Sequence, residues 1–199
     1  MKKYGIEPNS LVLELLERET PKKITNAQHI ITGSAAELCI SAKRIATELG
    51  YDAQIVADDV SCQAKELGEK MADLAKKNKD TKKPLAFIFG GETVVHLMGN
   101  GKGGRNQETV LSASTYIQDV DNCVIFSVGS DGTDGPTDSA GGICDHTTAQ
   151  KIAKSQKTAK EYLKNNDSYT ALGYASDLIF TGPTGTNVND LAYVLIMPK

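Results

Sequence analysis

Two continuous apolar runs, LAFIFGG (85–91) and CVIFSVG (123–129), each empty directly into a long glycine-rich loop. A run of strand length without polar alternation suits a strand covered on both faces, because a strand with one wet face would alternate. LAFIFGG therefore reads as a central strand with helices above and below it. Upstream, AQHIIT ends at Gly33 as a strand and gives way to SAAELCISAKRIATELG, where Ser34 and Glu37 stand at capping-box spacing and Leu38, Ala42, Ile45 and Leu49 recur at helical intervals. Gly50 is placed to end that helix. AQIVA (53–57) reads as another strand, and Leu67, Met71 and Leu74 mark a second amphipathic helix that closes in KKNKDTKK.

Downstream the alternation continues. ETVVHLM is extended, GNGKGGRNQE is a glycine loop, and TVLSASTYIQ is helical. After CVIFSVG comes the polar loop SDGTDGPTDSAGG, then two helical stretches, the second carrying Thr158 and Glu161 at capping-box spacing. SDLIF, the loop TGPTGTNVNDL and the apolar run AYVLIM complete the chain. Strands alternating with helices predict a layered α/β/α domain on a mixed, largely parallel sheet. Residues 1–25, with Pro8 and Pro21, read as a lead-in helix and linker, and 26–199 as the domain.

Composition narrows the function classes. With 22 basic against 25 acidic residues in 199, the formal charge of −3 gives no field that would gather nucleic acid or an anionic membrane. MKKYGIEPNS has no apolar run behind its lysines, so no signal peptide or membrane span is expected. Cys39, Cys62, Cys123 and Cys144 form no C-x-x-C pair, which excludes a zinc knuckle and fits a reducing cytoplasm.

Chemistry concentrates in three loops, 90–106, 129–142 and 181–190, each following or interrupting a strand, where open α/β sheets collect ligands. Together they hold Glu92, Arg105, Asn106, Asp131, Asp134, Asp138, Thr184, Thr186, Asn187, Asn189 and Asp190, a set suited to a small hydroxylated anion. In the first loop, unhindered amides, Lys102 and Arg105 precede a helix whose first N–H groups are unpaired, which is an arrangement for binding an anion. In the second, Asp131, Asp134 and Asp138 could hold a hydrated magnesium ion or take a proton from a substrate hydroxyl, although Asp beside Gly is also an ordinary turn residue. Asp131 follows its strand most closely.

Weaker patterns fall away on physical grounds. Gly99, Gly101 and Gly104 match G-x-G-x-x-G, but the first acid after the next strand is Asp131, too far along to hold a ribose, so a nicotinamide cofactor is disfavoured. Cys144 and His146 are near in sequence, which does not make a nucleophile pair. His29 and His96 lie in strand-like runs and, with Tyr162 and Tyr169, read as structural.

At these loops the chain resembles the glycerate 2-kinases that carry the MOFRL domain, some of which are labelled hydroxypyruvate reductases. The resemblance rests on GGETVV (90–95), GNGKGGRNQE (99–108), GSDGTDGPTDSAGG (129–142), NDSY (166–169) and DLIFTGPTGTNVNDL (177–191), in that order. Family members have two α/β domains with the active site between them, and this chain resembles the C-terminal one. The resemblance implies transfer of the γ-phosphoryl group of ATP, with Mg2+, to the 2-hydroxyl of D-glycerate. It implies Arg105 as the residue that neutralises charge and Asp131 as the one that orients or deprotonates the hydroxyl. Glu92, Lys102, Asn106, Asp134, Thr184, Asn187 and Asn189 would complete the substrate pocket. The nucleotide would be held mainly by an N-terminal kinase domain, in cis or in trans, without which this chain is expected to be inactive. An uncovered cleft face would favour self-association. A non-catalytic hydroxy-acid binding module and a nicotinamide-dependent hydroxypyruvate reductase are the alternatives.

Overall fold

The computed structural model describes Gly5, residues 7–28 and residues 30–199. The chain divides into two units, Met1–Thr32 and Gly33–Lys199. The first holds helix α1 (Ser10–Glu17), started by the Asn9 side chain accepting from the Leu11 amide at 2.9 Å and braced by an Arg18–Glu14 ion pair. The expected strand AQHIIT is not found among the described residues of that segment, and His29 lies outside them. Ile30 and Ile31 are 74% and 83% exposed, so neither has the apolar partner that would make an extended run worth ordering.

The second unit is a six-stranded sheet between helices. Its elements in chain order are α2 (Ala35–Glu48), β1 (Asp52–Val60), α3 (Ala64–Lys77), β2 (Leu85–Gly91), α4 (Arg105–Ser114), β3 (Cys123–Gly129), β4 (Gly141–Cys144), α5 (Thr148–Ala153), α6 (Ala159–Lys164), α7 (Ser168–Ala175), β5 (Leu178–Ile179) and β6 (Asp190–Ile196). Local signals start the helices where expected: Ser34 Oγ accepts from the Glu37 amide, and Thr158 and Glu161 form a complete capping box. Gly50 follows α2 at φ +92, a conformation open to glycine.

β2 is buried along its whole length. Leu85, Phe87 and Phe89 join Ile125, Ala192, Val194 and Ile196 under α3 and α4, while Ala86, Ile88 and Tyr193 pack on the other side against Cys39, Ala42 and Ala46 of α2. This is the α/β/α layering that the continuous apolar run required. The strand order is β1-β2-β6-β3-β4-β5. The sheet is mixed as expected, but its parallel share is smaller: only β1 and β2 pair parallel, while β2–β6, β6–β3, β3–β4 and β4–β5 are antiparallel. β1, β2 and β3 still run in one direction; the last strand returns from the far end of the chain and inserts between β2 and β3.

That insertion builds the site. Gly91 at the end of β2 pairs with Asp190 at the start of β6, and Asp190 pairs with Gly129 at the end of β3. The three glycine-rich loops therefore leave the sheet at one edge, side by side.

Candidate functional site

The first loop lies on the α6–α7 junction. The Asn166 side-chain oxygen accepts from the amides of Met98 (2.7 Å) and Gly99 (3.0 Å), and its nitrogen donates to the His96 carbonyl and to Glu108. Asn165 and Asp167 side chains accept from Asn100 and Lys102, and the Asn165 carbonyl accepts from Gly101. Amides that the sequence presented as free for an anion are thus largely consumed by protein, a correction that required knowing what stands behind the loop. Asn166 does this from a left-handed conformation (φ +52), which Asn tolerates better than most residues.

The N-terminus of α4 is filled in the same way. The Asp134 carboxylate, 3% exposed, accepts from the amides of Asn106 (3.1 Å) and Gln107 (2.8 Å) and from the Asn106 side chain (3.3 Å). The Asn106 oxygen in turn accepts from Ser127 Oγ of β3. A Cβ on Gly104 would collide with the Asp134 carboxyl group, so the close approach of these loops requires glycine there. Burial pushes the Asp134 carboxyl up to about 6, against the pull of its hydrogen bonds, and nearby Asp190 adds to the rise.

Arg105 opens α4 and meets both neighbouring loops. Asp190 grips it side-on, accepting from Nε at 2.6 Å and Nη2 at 3.0 Å, and Glu92 accepts from Nη1 at 2.9 Å. The hydrogen bond to Asp190, more than any other influence, raises the guanidinium above its already high pKa. Asp131 stands beside this cluster: a Cβ placed on Gly129 would be 3.1 Å from its Oδ1 and 3.7 Å from Oδ1 of Asp190. Asp131 Oδ1 accepts from the Thr133 amide and hydroxyl, which fixes the turn. Glu92 and Arg105 line an open cleft of about 750 Å³, with the backbone of Gly101, Gly103 and Gly104, the apolar Val94 and Leu97, and Glu108 and Asn166 at its base.

The remaining expected residues spread around this centre. Lys102 lies over the Tyr169 ring at 4.4 Å, and the Tyr169 hydroxyl donates to Asp138 at 2.7 Å. The third loop folds onto the second: the Thr184 amide and hydroxyl donate to the carbonyls of Asp131 and Ser130, the Ser130 amide donates to the Asn189 carbonyl, and the Ser130 hydroxyl accepts from the Val188 amide. Asn187 serves the same loop by accepting from the Asn189 amide at 3.4 Å. Asp134 and Asn106 are buried in the frame, whereas Arg105 and Glu92 face the cleft. Cys144 is fully buried with its thiol pushed well above the ordinary range, which makes it inert as a nucleophile beside His146.

The sequence reading passed over Glu108 and Asn166. Glu108 sits in the first turn of α4, yet it is 3% exposed; burial raises its carboxyl, countered by the Asn166 donor and by Lys65 at 3.7 Å. Among the described residues no cluster of three or more His, Cys, Asp or Glu is arranged to hold a metal ion, and no helix is long and apolar enough to cross a membrane.

Known proteins share this arrangement of loops and sheet. The model of the MOFRL family matches residues 85–190, which include the first two loops and all of the third up to Asp190. A D-glycerate 2-kinase of Thermotoga maritima is 46% identical over 99% of this chain and 48% of its own length. A relative from Agrobacterium vitis that carries a hydroxypyruvate reductase name is 33% identical over 98% of this chain and 46% of its own length. The crystal structure of a glycerate kinase from Thermotoga maritima superposes with a TM-score of 0.90 at 46% identity, over 98% of this chain and 48% of that one. The chain spans about half the length of the curated relatives it matches.

Proposed function

The chain belongs to the MOFRL family, and from that premise we propose that it supplies the acid-binding side of an ATP-dependent kinase acting on the 2-hydroxyl of D-glycerate. The observation that carries the reading is Arg105. Asp190 occupies its Nε–Nη2 edge, the half-exposed Glu92 holds Nη1, and both Arg105 and Glu92 line a cleft large enough for a small hydroxy acid. A guanidinium held rigidly on one edge offers the other, once Glu92 yields it, as a fork for a carboxylate or for the charge on a moving phosphoryl group. Asp131, beside Asp190 on the same sheet edge, is the group we assign to orienting the 2-hydroxyl, as general base or as hydrogen-bond acceptor. Lys102, Thr184, Asn187 and Asn189 stand outside the lining of that cleft, and we assign them to holding the surrounding loops, while Asp134 and Asn106 hold Arg105 at the head of α4.

ATP and Mg2+ belong to this reading as the phosphoryl donor and its counter-ion. The one long-helix N-terminus in the site is already capped by Asp134, and no carboxylate cluster suited to a metal is present among the described residues. We assign most of nucleotide binding to a second domain, joined to this one or separate, and phosphoryl transfer to the two together, a reading supported by the chain's spanning about half the length of its relatives.

Calorimetric titration of the chain with D-glycerate tests the acid site directly. Binding should be lost in Arg105→Ala, because the fork supplies the only fixed cation lining the cleft among the described residues. Unchanged binding in that variant would reject the assignment.

A further inference from the structure

The charge around Arg105 is over-compensated before any ligand arrives. Asp190 holds two of its N–H groups and keeps only 10% of its side chain exposed; Glu92 holds a third from a side chain that is 55% exposed. Among the described residues lining the cleft, Arg105 is the one cation, facing Glu92 with Asp190 at its back. Lys65 is engaged with Glu108, and Lys102 lies over Tyr169. An entering carboxylate therefore meets a guanidinium that is already neutralised, and one of the two partners must yield.

The two partners differ in how readily they can leave. Asp190 is buried and bound twice, so releasing it would strand a charge. Glu92 is bound once and half in water, a contact that shifts an equilibrium only about two- to five-fold. Its backbone is fixed by its amide donating to the Val60 carbonyl at 2.7 Å, so the side chain can swing without moving the strand end. Once it swings, Glu92 and the ligand carboxylate are neighbours on one guanidinium. They repel each other unless a proton donor lies between them. A hydroxyl on the carbon next to the ligand carboxylate is such a donor, and a methylene group is not.

We infer that Glu92 is the specificity-determining residue of the cleft: it yields Nη1 of Arg105 to the ligand carboxylate and, as the acid binds, accepts the hydrogen bond from the ligand 2-hydroxyl that Asp131 takes over in the transfer step, so that hydroxy acids are chosen over plain carboxylic acids. The inference rests on the reading of the cleft as a small-acid site.

The test compares D-glycerate with propionate by calorimetry in wild type, Glu92→Leu and Glu92→Gln. Wild type should favour D-glycerate at least about ten-fold, as expected for a hydrogen bond to a charged acceptor. Glu92→Leu should bind propionate about two- to five-fold more tightly than wild type, its competitor being gone, and D-glycerate more weakly, so that the preference shrinks to about three-fold or less. Glu92→Gln, which keeps the shape and loses the charge, should also gain propionate affinity. An undiminished preference in Glu92→Leu, or propionate binding that weakens in both variants, overturns the inference while leaving the acid site standing. Failure of wild type to bind either acid removes both.

Discussion

Replacing Asp134 with Asn should change how the stability of the domain depends on pH. The buried carboxylate caps α4 and its carboxyl is raised from 3.8 to about 6, chiefly by burial. In the unfolded chain the same group titrates near its ordinary value. Between those two values the folded protein keeps a proton that the unfolded chain has released, so this group stabilises the fold at low pH. Its contribution is lost as pH rises through the window. The full change is about 3 kcal/mol, at about 1.4 kcal/mol per tenfold change in proton affinity. An asparagine in its place has the same shape and does not titrate. The stability of wild type minus that of Asp134→Asn should therefore fall by about 2 kcal/mol between pH 4 and pH 7, the rest of the change lying below pH 4. Urea unfolding at intervals across that range measures it, and the raised carboxyls of Glu108 and Asp177 cancel in the difference. A difference that stays constant to within about 0.5 kcal/mol would refute the assignment of Asp134 as a desolvated charge. Asp134→Ala separates the cap from the charge: with two helix amides orphaned, it should lose about 2–4 kcal/mol at neutral pH.

Asn166→Ala should cost about 1–3 kcal/mol and accelerate hydrogen exchange at Met98 and Gly99, whose amides donate to it; unchanged exchange there would mean the loop is held by something else. Gly129→Ala brings a Cβ to 2.6 Å from the Thr133 carbonyl and 3.1 Å from Asp131, and should disturb the Asp131 turn at a cost of about 1–3 kcal/mol; a crystal structure of the variant with that turn unmoved would contradict this. Thr158→Ala dissolves the capping box of α6 and should lower stability by about 1 kcal/mol without changing D-glycerate affinity, which calorimetry can check.

Much of the layering was legible because it is local. LAFIFGG had to be covered on both faces, and Ser34 and Thr158 mark helix starts within a few residues of themselves. The strand order was not legible, because AYVLIM reads the same whether it pairs parallel or antiparallel, and its place between β2 and β3 is decided by contacts with strands far back in the chain. AQHIIT failed for the opposite reason: its apolar residues match a strand pattern, but Ile30 and Ile31 find no surface to bury against. β4 was hidden in the tail of a glycine loop, where Gly141 and Gly142 carry no strand preference and only pairing with β3 extends them.

Site legibility divides along the same line. Glycine loops after strands point to Glu92, Arg105 and Asp131 from sequence alone; the structure pairs Glu92 with Arg105 in the cleft, while Asp131 is held within its own turn. Which loop satisfies which is invisible there: Asp134 reaches α4 across 28 positions and Asp190 reaches Arg105 across 85. Those long-range pairings decide the chemistry. A sequence of glycines, Lys102 and Arg105 before a helix suggests a phosphate cradle, but two amides of the helix end are spent on Asp134, the loop amides from Met98 to Lys102 on residues 165–167, and the lysine lies over Tyr169. What faces the cleft is one edge of one guanidinium, shared with the displaceable Glu92, and the backbone of Gly103 and Gly104. A polyphosphate carries several negative charges and needs several cations or a metal to match them, whereas a single fork matches one carboxylate. On that count the acid site we propose matches a small acid more closely than a nucleotide.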